Sequence, residues 1–249
     1  MSALEVGKGT TPEGAKTEEQ ASQYVRGMFA KAAPRYDLLN HVLSFQIDKY
    51  WRARTVRRVA DTLARPEAVV LDLACGTGDL TLALARGARA KVIGSDFCHP
   101  MLTVAKEKRV ARLFESDAMR LPVADGAVDL ITCAFGFRNF TNYRRGMDEF
   151  LRVLKPGGRV AILELSTPPN AAFRALYGFY STQVLPRIGA ALSSAPEAYT
   201  YLPESVRKFP GAPVLAEEFR AAGFADVSFE WMTMGIVALH VAQKPGRYD

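Results

Sequence analysis

Residues 68 to 81, Ala-Val-Val-Leu-Asp-Leu-Ala-Cys-Gly-Thr-Gly-Asp-Leu-Thr, predict a strand, a tight turn and the start of a helix. Val69 to Leu73 form a short apolar, β-branched run, which is typical of a strand buried on both faces. Gly76-Thr77-Gly78 gives a turn with little side-chain bulk, and a helix begins at Asp79. This arrangement predicts a ligand cradle at the carboxyl edge of an open α/β sheet, where free N–H groups at the helix start bind anionic groups.

Two ligands are compatible with a glycine turn of this kind. The dinucleotide fingerprint G-x-G-x-x-G/A needs a third small residue, and Thr81 stands at that position. The loop of S-adenosylmethionine (SAM) methyltransferases, D/E-x-G-x-G-x-G, resembles residues 72 to 78, with Ala74 at the first glycine. The loop favours SAM over a dinucleotide, although a glycine-rich loop alone is only moderately specific. Its candidate cofactor-binding residues are Asp72, Gly76, Thr77 and Gly78.

Strand and helix patterns alternate regularly after this loop. We predict strands at 91–96, 111–115, 128–134 and 159–165, and helices at 79–86, 100–110 and 143–154. Such alternation implies a parallel sheet with right-handed crossovers. A closing hairpin at 229–231 and 236–242 suits a methyltransferase sheet with an antiparallel last strand. The predicted fold is therefore α/β, with a methyltransferase-like (Rossmann-like) sheet and helices on both faces; the resemblance described below implies its class I, SAM-dependent type.

The chain divides into a polar N-terminal arm and one methyltransferase domain. The arm, residues 1–19, is expected to be flexible. The domain, residues 20–249, comprises an N-terminal helical lid at 20–64, a core at 68–166, a substrate insert at 168–213 and a C-terminal helix and hairpin at 214–245. Plain helical packing is the alternative for the lid. The insert is rich in aromatic residues, which fits either a helix packed on the core or an apolar, membrane-facing channel.

Composition and net charge limit the cellular locations and the classes of partner that we expect for this chain. The sequence has no apolar run long enough for a transmembrane helix, and residues 1 to 20 lack an apolar signal core. Its three cysteines lack a C-x-x-C spacing, which argues against disulfides and zinc and favours a reducing cytoplasm. The net charge of +6 fits nucleic acid or an anionic membrane. Because no nucleic-acid motif accompanies the charge, we favour the inner face of the cytoplasmic membrane. A homodimer is among the oligomeric states left open.

Two acids follow later strands at the same edge of the sheet. Asp96 ends the second strand, where a carboxylate can accept both ribose hydroxyls of a bound nucleoside. Asp117, followed by Ala118, ends the third strand, where a carboxylate can accept from the exocyclic amine of adenine. An exposed strand-end acid and a turn-initiating aspartate are the structural alternatives.

Residues after the fourth strand are candidates for the methyl-acceptor site. Methyl transfer from a sulfonium needs no metal, so the protein mainly aligns donor and acceptor. A carbon acceptor gains nucleophilicity from an adjacent phenolate, which a cation stabilises. Arg138 is the candidate catalytic cation and Asn139 the candidate orienting group, with a surface salt bridge as the alternative for Arg138. His240 is expected to be a core histidine, and His41 and His99 make no better case for a base.

Several motifs, in order, resemble those of the ubiquinone/menaquinone biosynthesis C-methyltransferases over residues 20 to 245. They are Tyr36-Asp37-x-x-Asn40-x-x-x-Ser44 with Trp51, Phe135-Gly136-x-Arg138-Asn139, Arg152 to Pro168, Val184 to Gly189, Tyr201-Leu202-x-Glu204-Ser205, and Val237 to His240. The resemblance implies a class I fold, SAM as methyl donor and a polyprenylated quinol as acceptor. The implied SAM-site residues are Thr77, Asp96, Asp117 and Ala118. The residues implied beside the quinol are Arg138, Asn139, Tyr36, Asn40 and Tyr201.

Some residues depart from the family pattern, and they bear on which residue acts as general base and on whether the chain resembles the menaquinone or the ubiquinone members. Gln46 and Asp48 stand where many members have Gly and His, so that histidine is not a base here. Ala134 stands where some members place a SAM-contacting serine. The Ser44-Phe45-Gln46 run resembles the menaquinone-only branch, so demethylmenaquinol is the expected substrate. The alternatives are a 2-polyprenyl-6-methoxy-1,4-benzoquinol of ubiquinone biosynthesis, another small-molecule acceptor, or a non-catalytic SAM-binding scaffold.

Overall fold

A computed structural model describes residues 9–184, 187 and 197–246, with only the backbone at 39, 42, 43, 184 and 197–199. Most of the Val184 to Gly189 motif, and the insert side chains of Leu185, Ile188 and Leu192, lie outside the described residues. The described residues form a sheet covered by helices on both faces.

Seven strands build the sheet. They are β1 (Val69–Leu73), β2 (Lys91–Asp96), β3 (Leu113–Glu115), β4 (Val128–Ala134), β5 (Leu154–Leu165), β6 (Ala225–Met232) and β7 (Val237–Gln243). Their order across the sheet is β3-β2-β1-β4-β5-β7-β6. β1 to β5 are parallel, whereas β7 is antiparallel to both β5 and β6. The predicted α/β sheet with an antiparallel last strand is therefore confirmed.

The fifth strand begins earlier than the predicted Arg159. Leu154 already pairs with Val128 of β4, and the register then shifts before Arg159 pairs with Leu130. Gly157, with φ +75°, donates its N–H to the carbonyl of Lys244 at 3.0 Å. The Lys155 to Gly158 segment ends the preceding helix as predicted, and it also continues as an irregular part of β5.

Helices flank the sheet. They are α1 (Glu18–Ala32), α2 (Tyr36–Leu43), α3 (Ile47–Arg58), α4 (Ala60–Leu63), α5 (Asp79–Ala85), α6 (His99–Glu107), α7 (Tyr143–Val153), α8 (Ala171–Phe179), α9 (Glu197–Lys208) and α10 (Ala212–Ala222). Short turns of helix lie at Ala33–Arg35, Phe137–Asn139, Tyr180–Val184 and Thr233–Gly235. None of the helices in the described part of the chain has the length and apolar character needed to cross a bilayer.

The core lies in two layers, one on each face of the sheet. Alternate strand residues point to opposite faces, so Leu71 and Leu73 belong to one layer and Val70 to the other. The first layer joins the sheet to α7 and α10 through a cluster of phenylalanines, Phe137, Phe150 and Phe219 among them. The second joins it to α3 and α5 through Trp51, Leu80 and Leu84. Both layers hold the carboxyl ends of β1, β2 and β4 rigidly side by side.

Helices α1 to α4 precede β1, where the lid is expected. The described part of the N-terminal arm begins at Gly9. The N–H groups of Gly9 and Thr10 donate to the carbonyls of Thr141 and Phe140 at 3.2 and 2.7 Å, and the Thr10 side chain is buried. These backbone hydrogen bonds hold residues 9 and 10 beside the segment that follows β4, and the flexibility of the arm stays a prediction.

Candidate active site

The loop after β1 turns through backbone of positive φ at Ala74, Gly76 and Gly78. A Cβ added at Gly76 would meet no atom within 4 Å, so this backbone borders open space. A Cβ added at Gly78 would lie 2.5 Å from Cγ2 of Val110. Gly76 therefore borders open space, whereas Gly78 packs against Val110 and does not line the cavities described next.

Three cavities meet at this edge of the sheet. The Asp117 cavity is lined by residues that include Asp96, Phe97, Asp117, Ala118 and Asn139. The Asp79 cavity is lined by residues that include Asp37, Arg52, Asp72, Thr77 and Asp79. The apolar cavity, of about 330 Å³, is lined by residues that include Phe45, Asp48, Trp51, Arg138, Tyr177 and Tyr180. Tyr36 and Phe135 line all three cavities, so the cavities adjoin at these two side chains.

Asp96 lines the Asp117 cavity at the end of β2, as predicted. Its carboxylate accepts hydrogen bonds from the N–H groups of Gly76 and Cys98 at 2.8 and 2.9 Å. Burial raises the pKa of Asp96 to about 6, although these hydrogen bonds oppose the shift. An ionised carboxylate has about four acceptor positions, so two remain for the hydroxyls of a ribose.

Asp72 is almost completely buried, with 1% of its surface exposed, at the end of β1. The hydroxyls of Thr81 and Thr132 donate to its two oxygens, both at 2.6 Å. Burial raises its pKa to about 6 against these two hydrogen bonds. Asp72 lies at the Asp79 cavity, and its contacts show a second role, which is to tie β1 to β4 and to α5.

The residues predicted beside adenine lie together in the Asp117 cavity. Asp117 accepts from the N–H of Met119 at 2.8 Å, so it also forms the turn that was the alternative interpretation. Asn139 lines the Asp117 cavity and not the apolar cavity, and its role beside the acceptor stays a prediction. The hydroxyl of Tyr201 donates to Oδ1 of Asn139 at 3.0 Å. Tyr201 lines none of the three cavities, so its contact with the site is indirect.

Arg138 lines the apolar cavity from the turn after β4, as predicted. It is buried, and its Nη1 lies 2.9 Å from Oε1 of Glu164 on β5. The same guanidinium donates to the carbonyl of Phe135 and, through Nε, to Ser205 Oγ at 3.3 Å. Burial would lower the pKa of Arg138, but Glu164 keeps it above its ordinary value. The ion pair is therefore internal, not the surface salt bridge considered from the sequence.

A charge cluster joins the lid to the glycine loop. Lys108 Nζ donates to Asp37 Oδ2 of α2 at 2.8 Å and also pairs with Asp79 of α5. The hydroxyl of Thr77 donates to Asp37, which fastens the predicted cofactor residue to the lid. Arg52 of α3 lies 3.2 Å from Asp79. These contacts hold α2 and α3 over the Asp79 cavity.

Sequence reasoning missed a histidine–aspartate pair in the lid. His41 Nδ1 lies 2.7 Å from Oδ2 of Asp48, which lines the apolar cavity. Burial would raise the pKa of Asp48, but hydrogen bonds from Ser44 and His41 and the charge of Arg52 hold it below its usual range. The two residues lie on different helices, α2 and α3, and only the turn between them brings the side chains together.

His41, Asp48 and Asp79 place three potential metal-ligand atoms within 4.8 Å of one another. Arg52 pairs with both carboxylates, and Lys108 pairs with Asp79. The chain's own cations therefore already balance the negative charge of this group.

His240 lies in the core, as expected, with Nε2 2.9 Å from the carbonyl of Ala212. Burial lowers its pKa to about 4, so the ring is neutral at neutral pH.

The cavities fit the chemical groups of SAM. Asp96 and Asp117 offer carboxylates to the ribose and the adenine, and the open backbone at Gly76 allows close approach. The amino-acid end of SAM carries an ammonium and a carboxylate. The Asp79 cavity has aspartates that suit the ammonium and Arg52, which suits the carboxylate.

Comparison with known proteins agrees with this geometry. The profile of the ubiE/COQ5 methyltransferase family matches residues 16–244. A demethylmenaquinone methyltransferase from Thermus thermophilus is 47% identical over 224 residues, covering 88% of this chain and 100% of the relative. One from Deinococcus radiodurans is 45% identical over 233 residues, covering 91% and 95%.

A solved SAM-dependent methyltransferase from Thermotoga maritima shares the fold. Its TM-score is 0.63 at 17% identity, and the match covers 88% of this chain and 98% of that chain. The sheet is therefore of the class I, Rossmann-like type. With the family profile matched along most of its length, the chain belongs to the ubiE/COQ5 methyltransferase family and is a SAM-dependent methyltransferase.

Proposed function

We propose that the chain methylates a ring carbon of demethylmenaquinol, a polyprenylated quinol, and so forms menaquinol. Its relatives from Thermus and Deinococcus carry the name demethylmenaquinone methyltransferase. The observation that carries the proposal is the apolar cavity, which has Arg138 in its wall and shares Tyr36 and Phe135 with the other two cavities. A flat aromatic ring held there would face the methyl donor.

The lining of the apolar cavity supports a quinol ring. Trp51, Tyr177 and Tyr180 supply aromatic surface, and Asn40 and Asp48 supply polar groups for ring hydroxyls. Tyr36 and Asn40 retain their predicted substrate-binding roles in this proposal. Tyr201 acts through Asn139, because its hydroxyl bonds to that amide.

Arg138 and the His41–Asp48 pair activate the quinol for methyl transfer. SAM, when bound, provides an electrophilic methyl group on a sulfonium. The Arg138 guanidinium lowers the pKa of a nearby phenol and stabilises the phenolate that activates the ring carbon. Asp48, oriented by His41, accepts the hydroxyl proton of the quinol. Once the ring carbon carries the methyl group, it releases its own hydrogen as a proton to solvent, and Asp48 returns its proton to the ring oxygen, so the product is again an aromatic quinol. Asn139 orients Tyr201 and the loop at Phe135 rather than the acceptor itself.

The tail of the quinol extends from the cavity towards an anionic membrane. Phe45 of the cavity wall is 73% exposed, and Leu176 and Phe179 on α8 are 65% and 62% exposed. The ring of Phe45 lies 6.3 Å from that of Tyr180, which lines the cavity and follows Phe179 directly in the sequence. We call the exposed side chains Phe45, Leu176 and Phe179 the rim of the cavity. With a net charge of +6, such a rim suits peripheral contact at the inner face of the cytoplasmic membrane.

The test is incubation of the purified protein with SAM and a short-tailed demethylmenaquinol, kept reduced, followed by mass spectrometry. The expected product is menaquinol of the same tail length, one methylene unit heavier than the substrate. Turnover only on a 2-polyprenyl-6-methoxy-1,4-benzoquinol would assign the ubiquinone branch instead. SAM binding without turnover on either quinol would support a scaffold role and overturn the proposal.

A further inference from the structure

Two aromatic rings stand where the three cavities meet. Tyr36, at the start of α2, and Phe135, at the end of β4, are each part of the walls of the Asp117, Asp79 and apolar cavities. The acids Asp72, Asp96 and Asp117 each line only one of the three. Aromatic side chains from α2 and from the end of the sheet therefore both line the place where the cavities adjoin, which is called the junction below.

The sulfur of SAM is an atom with three substituents. It carries the adenosyl group, the aminobutyrate chain and the methyl group, together with a full positive charge. The Asp117 cavity suits the adenosyl group, the Asp79 cavity suits the amino-acid end, and the apolar cavity suits the acceptor that receives the methyl group. Three substituents that occupy three cavities place their shared atom at the junction, between Tyr36 and Phe135.

We propose that Phe135 and Tyr36 recognise the positive charge of the sulfonium and so make the site prefer SAM over its neutral product, S-adenosylhomocysteine. The face of an aromatic ring attracts a cation, and the attraction is stronger where water is excluded. A thioether lacks that charge, so the product loses this contribution once the methyl group has left. Release of the product is favoured as a result.

The backbone at Phe135 is held in an unusual conformation that places its ring at the junction. Its φ of +59° lies in the left-handed region, which is uncommon for a bulky side chain. Its N–H donates to Leu163 at 2.8 Å, and its carbonyl accepts from Arg138. The Trp51 ring packs beside it, with centroids 5.9 Å apart. These contacts compensate the conformational cost, so the ring is fixed before any ligand arrives.

The next residue shows how closely the loop packs. A Cβ added at Gly136 would lie 2.4 Å from the Cβ of Ala74 in the glycine loop. The backbone that carries Phe135 therefore lies directly against the loop after β1.

The experiment compares SAM and S-adenosylhomocysteine binding by calorimetry without any acceptor, so that its outcome is independent of the proposed quinol. Phe135→Leu keeps an apolar side chain but removes the π face. SAM affinity should fall about three- to thirtyfold, and S-adenosylhomocysteine affinity should stay unchanged. Phe135→Tyr should keep the wild-type ratio of the two affinities. Phe97→Leu, in the Asp117 cavity alone, is the matched control and should change both affinities by the same factor.

Tyr36→Leu is the second, independent variant, and it should also lower the SAM affinity selectively. Retained binding of S-adenosylhomocysteine shows in each case that the site is folded. Equal losses for both ligands in Phe135→Leu and Tyr36→Leu, or no loss for either, would overturn the proposal.

Discussion

Arg138 and Glu164 form an ion pair at 2.9 Å in which the side chains are only 6% and 1% exposed. Glu164 also accepts from the backbone N–H groups of Arg138 at 3.1 Å and of Leu165 at 2.8 Å. A carboxylate buried to this degree loses its counter-ion when the guanidinium is removed. Arg138 is therefore the proposed catalytic cation, and it is also the counter-ion of Glu164, the buried carboxylate of β5.

Replacing Arg138 by alanine should affect activity and stability by separable amounts. Turnover should fall by roughly 10²–10³, the scale of one lost electrostatic donor. Stability should fall by about 3–5 kcal/mol, because Glu164 stays buried without its partner. Adding Glu164→Gln to Arg138→Ala should restore part of the stability but none of the turnover. Urea unfolding and single-turnover methylation measure the two effects.

Raising the pH should partly rescue turnover in Arg138→Ala, since hydroxide then deprotonates more of the quinol. SAM affinity should stay close to that of the wild type. Wild-type turnover in Arg138→Ala, or a selective loss of SAM binding, would contradict the assigned role.

Asp72→Asn should change how stability depends on pH. Folding raises the pKa of Asp72 from 3.8 to about 6, so the folded state binds its proton more tightly. The wild type therefore gains stability as pH falls from about 6 to about 4 and loses it as pH rises through 6. The asparagine variant lacks this change, so its stability relative to the wild type should increase by about 3 kcal/mol between pH 4 and pH 7. Urea titrations of both proteins across this range test it, and a constant difference would refute the buried ionisation of Asp72.

Lys108→Met should weaken the attachment of α2 to α5, although Lys108 itself lies outside the N-terminal helices. It removes the cation that joins Asp37 of α2 to Asp79 of α5. A partly exposed ion pair contributes about 1 kcal/mol, so SAM dissociation should quicken by about three- to tenfold. Amide exchange should also rise across residues 36–43. Lys106→Met, at an exposed position of α6, is the matched control, and equal behaviour of the two variants would show that the cluster does not hold the lid.

Charges placed on the rim of the apolar cavity should discriminate between tailed and tail-less acceptors. The double variant Leu176→Asp with Phe179→Asp should raise KM for a long-tailed quinol by about tenfold or more, since apolar contact with the tail is lost. A tail-less analogue should be nearly unaffected. Val214→Asp, at an exposed apolar position on α10, is the control surface. Equal KM changes for both acceptors would mean that these side chains do not contact the tail.

The sheet could be predicted because its strands are continuous apolar runs of β-branched residues. β2 and β4 agree with the prediction at both ends, at Lys91–Asp96 and Val128–Ala134. β6 begins at Ala225, before the predicted Phe229, because its first part alternates between exposed and half-buried residues and lacks an apolar run. Local pattern locates a buried strand well and an edge strand poorly.

Site residues could be predicted from the sequence only where a single strand or turn positions them. Asp96 and Gly76 follow directly from a strand end and a glycine turn. The partner of Arg138, Glu164, lies on another strand inside an otherwise apolar run, and no local pattern marks it as an ion-pair partner. The His41–Asp48 pair depends on the angle between two helices, and Asn139 faces the cofactor side because a helical turn rotates it away from Arg138. These relationships are tertiary.

The position of β7 between β5 and β6 bears on how the acceptor site can change over evolution. β5 and β7 pair from Leu165 with Val237 to Arg159 with Gln243, and α8 lies in the connection that follows β5. Closing a longer loop costs little, about 0.6 kcal/mol for each doubling of its length. That connection can therefore gain or lose residues while the pairing of the sheet persists. Changes in the length of this one insertion can therefore alter the methyl acceptor during evolution, while the cofactor-binding residues on β1 and β2 stay unchanged.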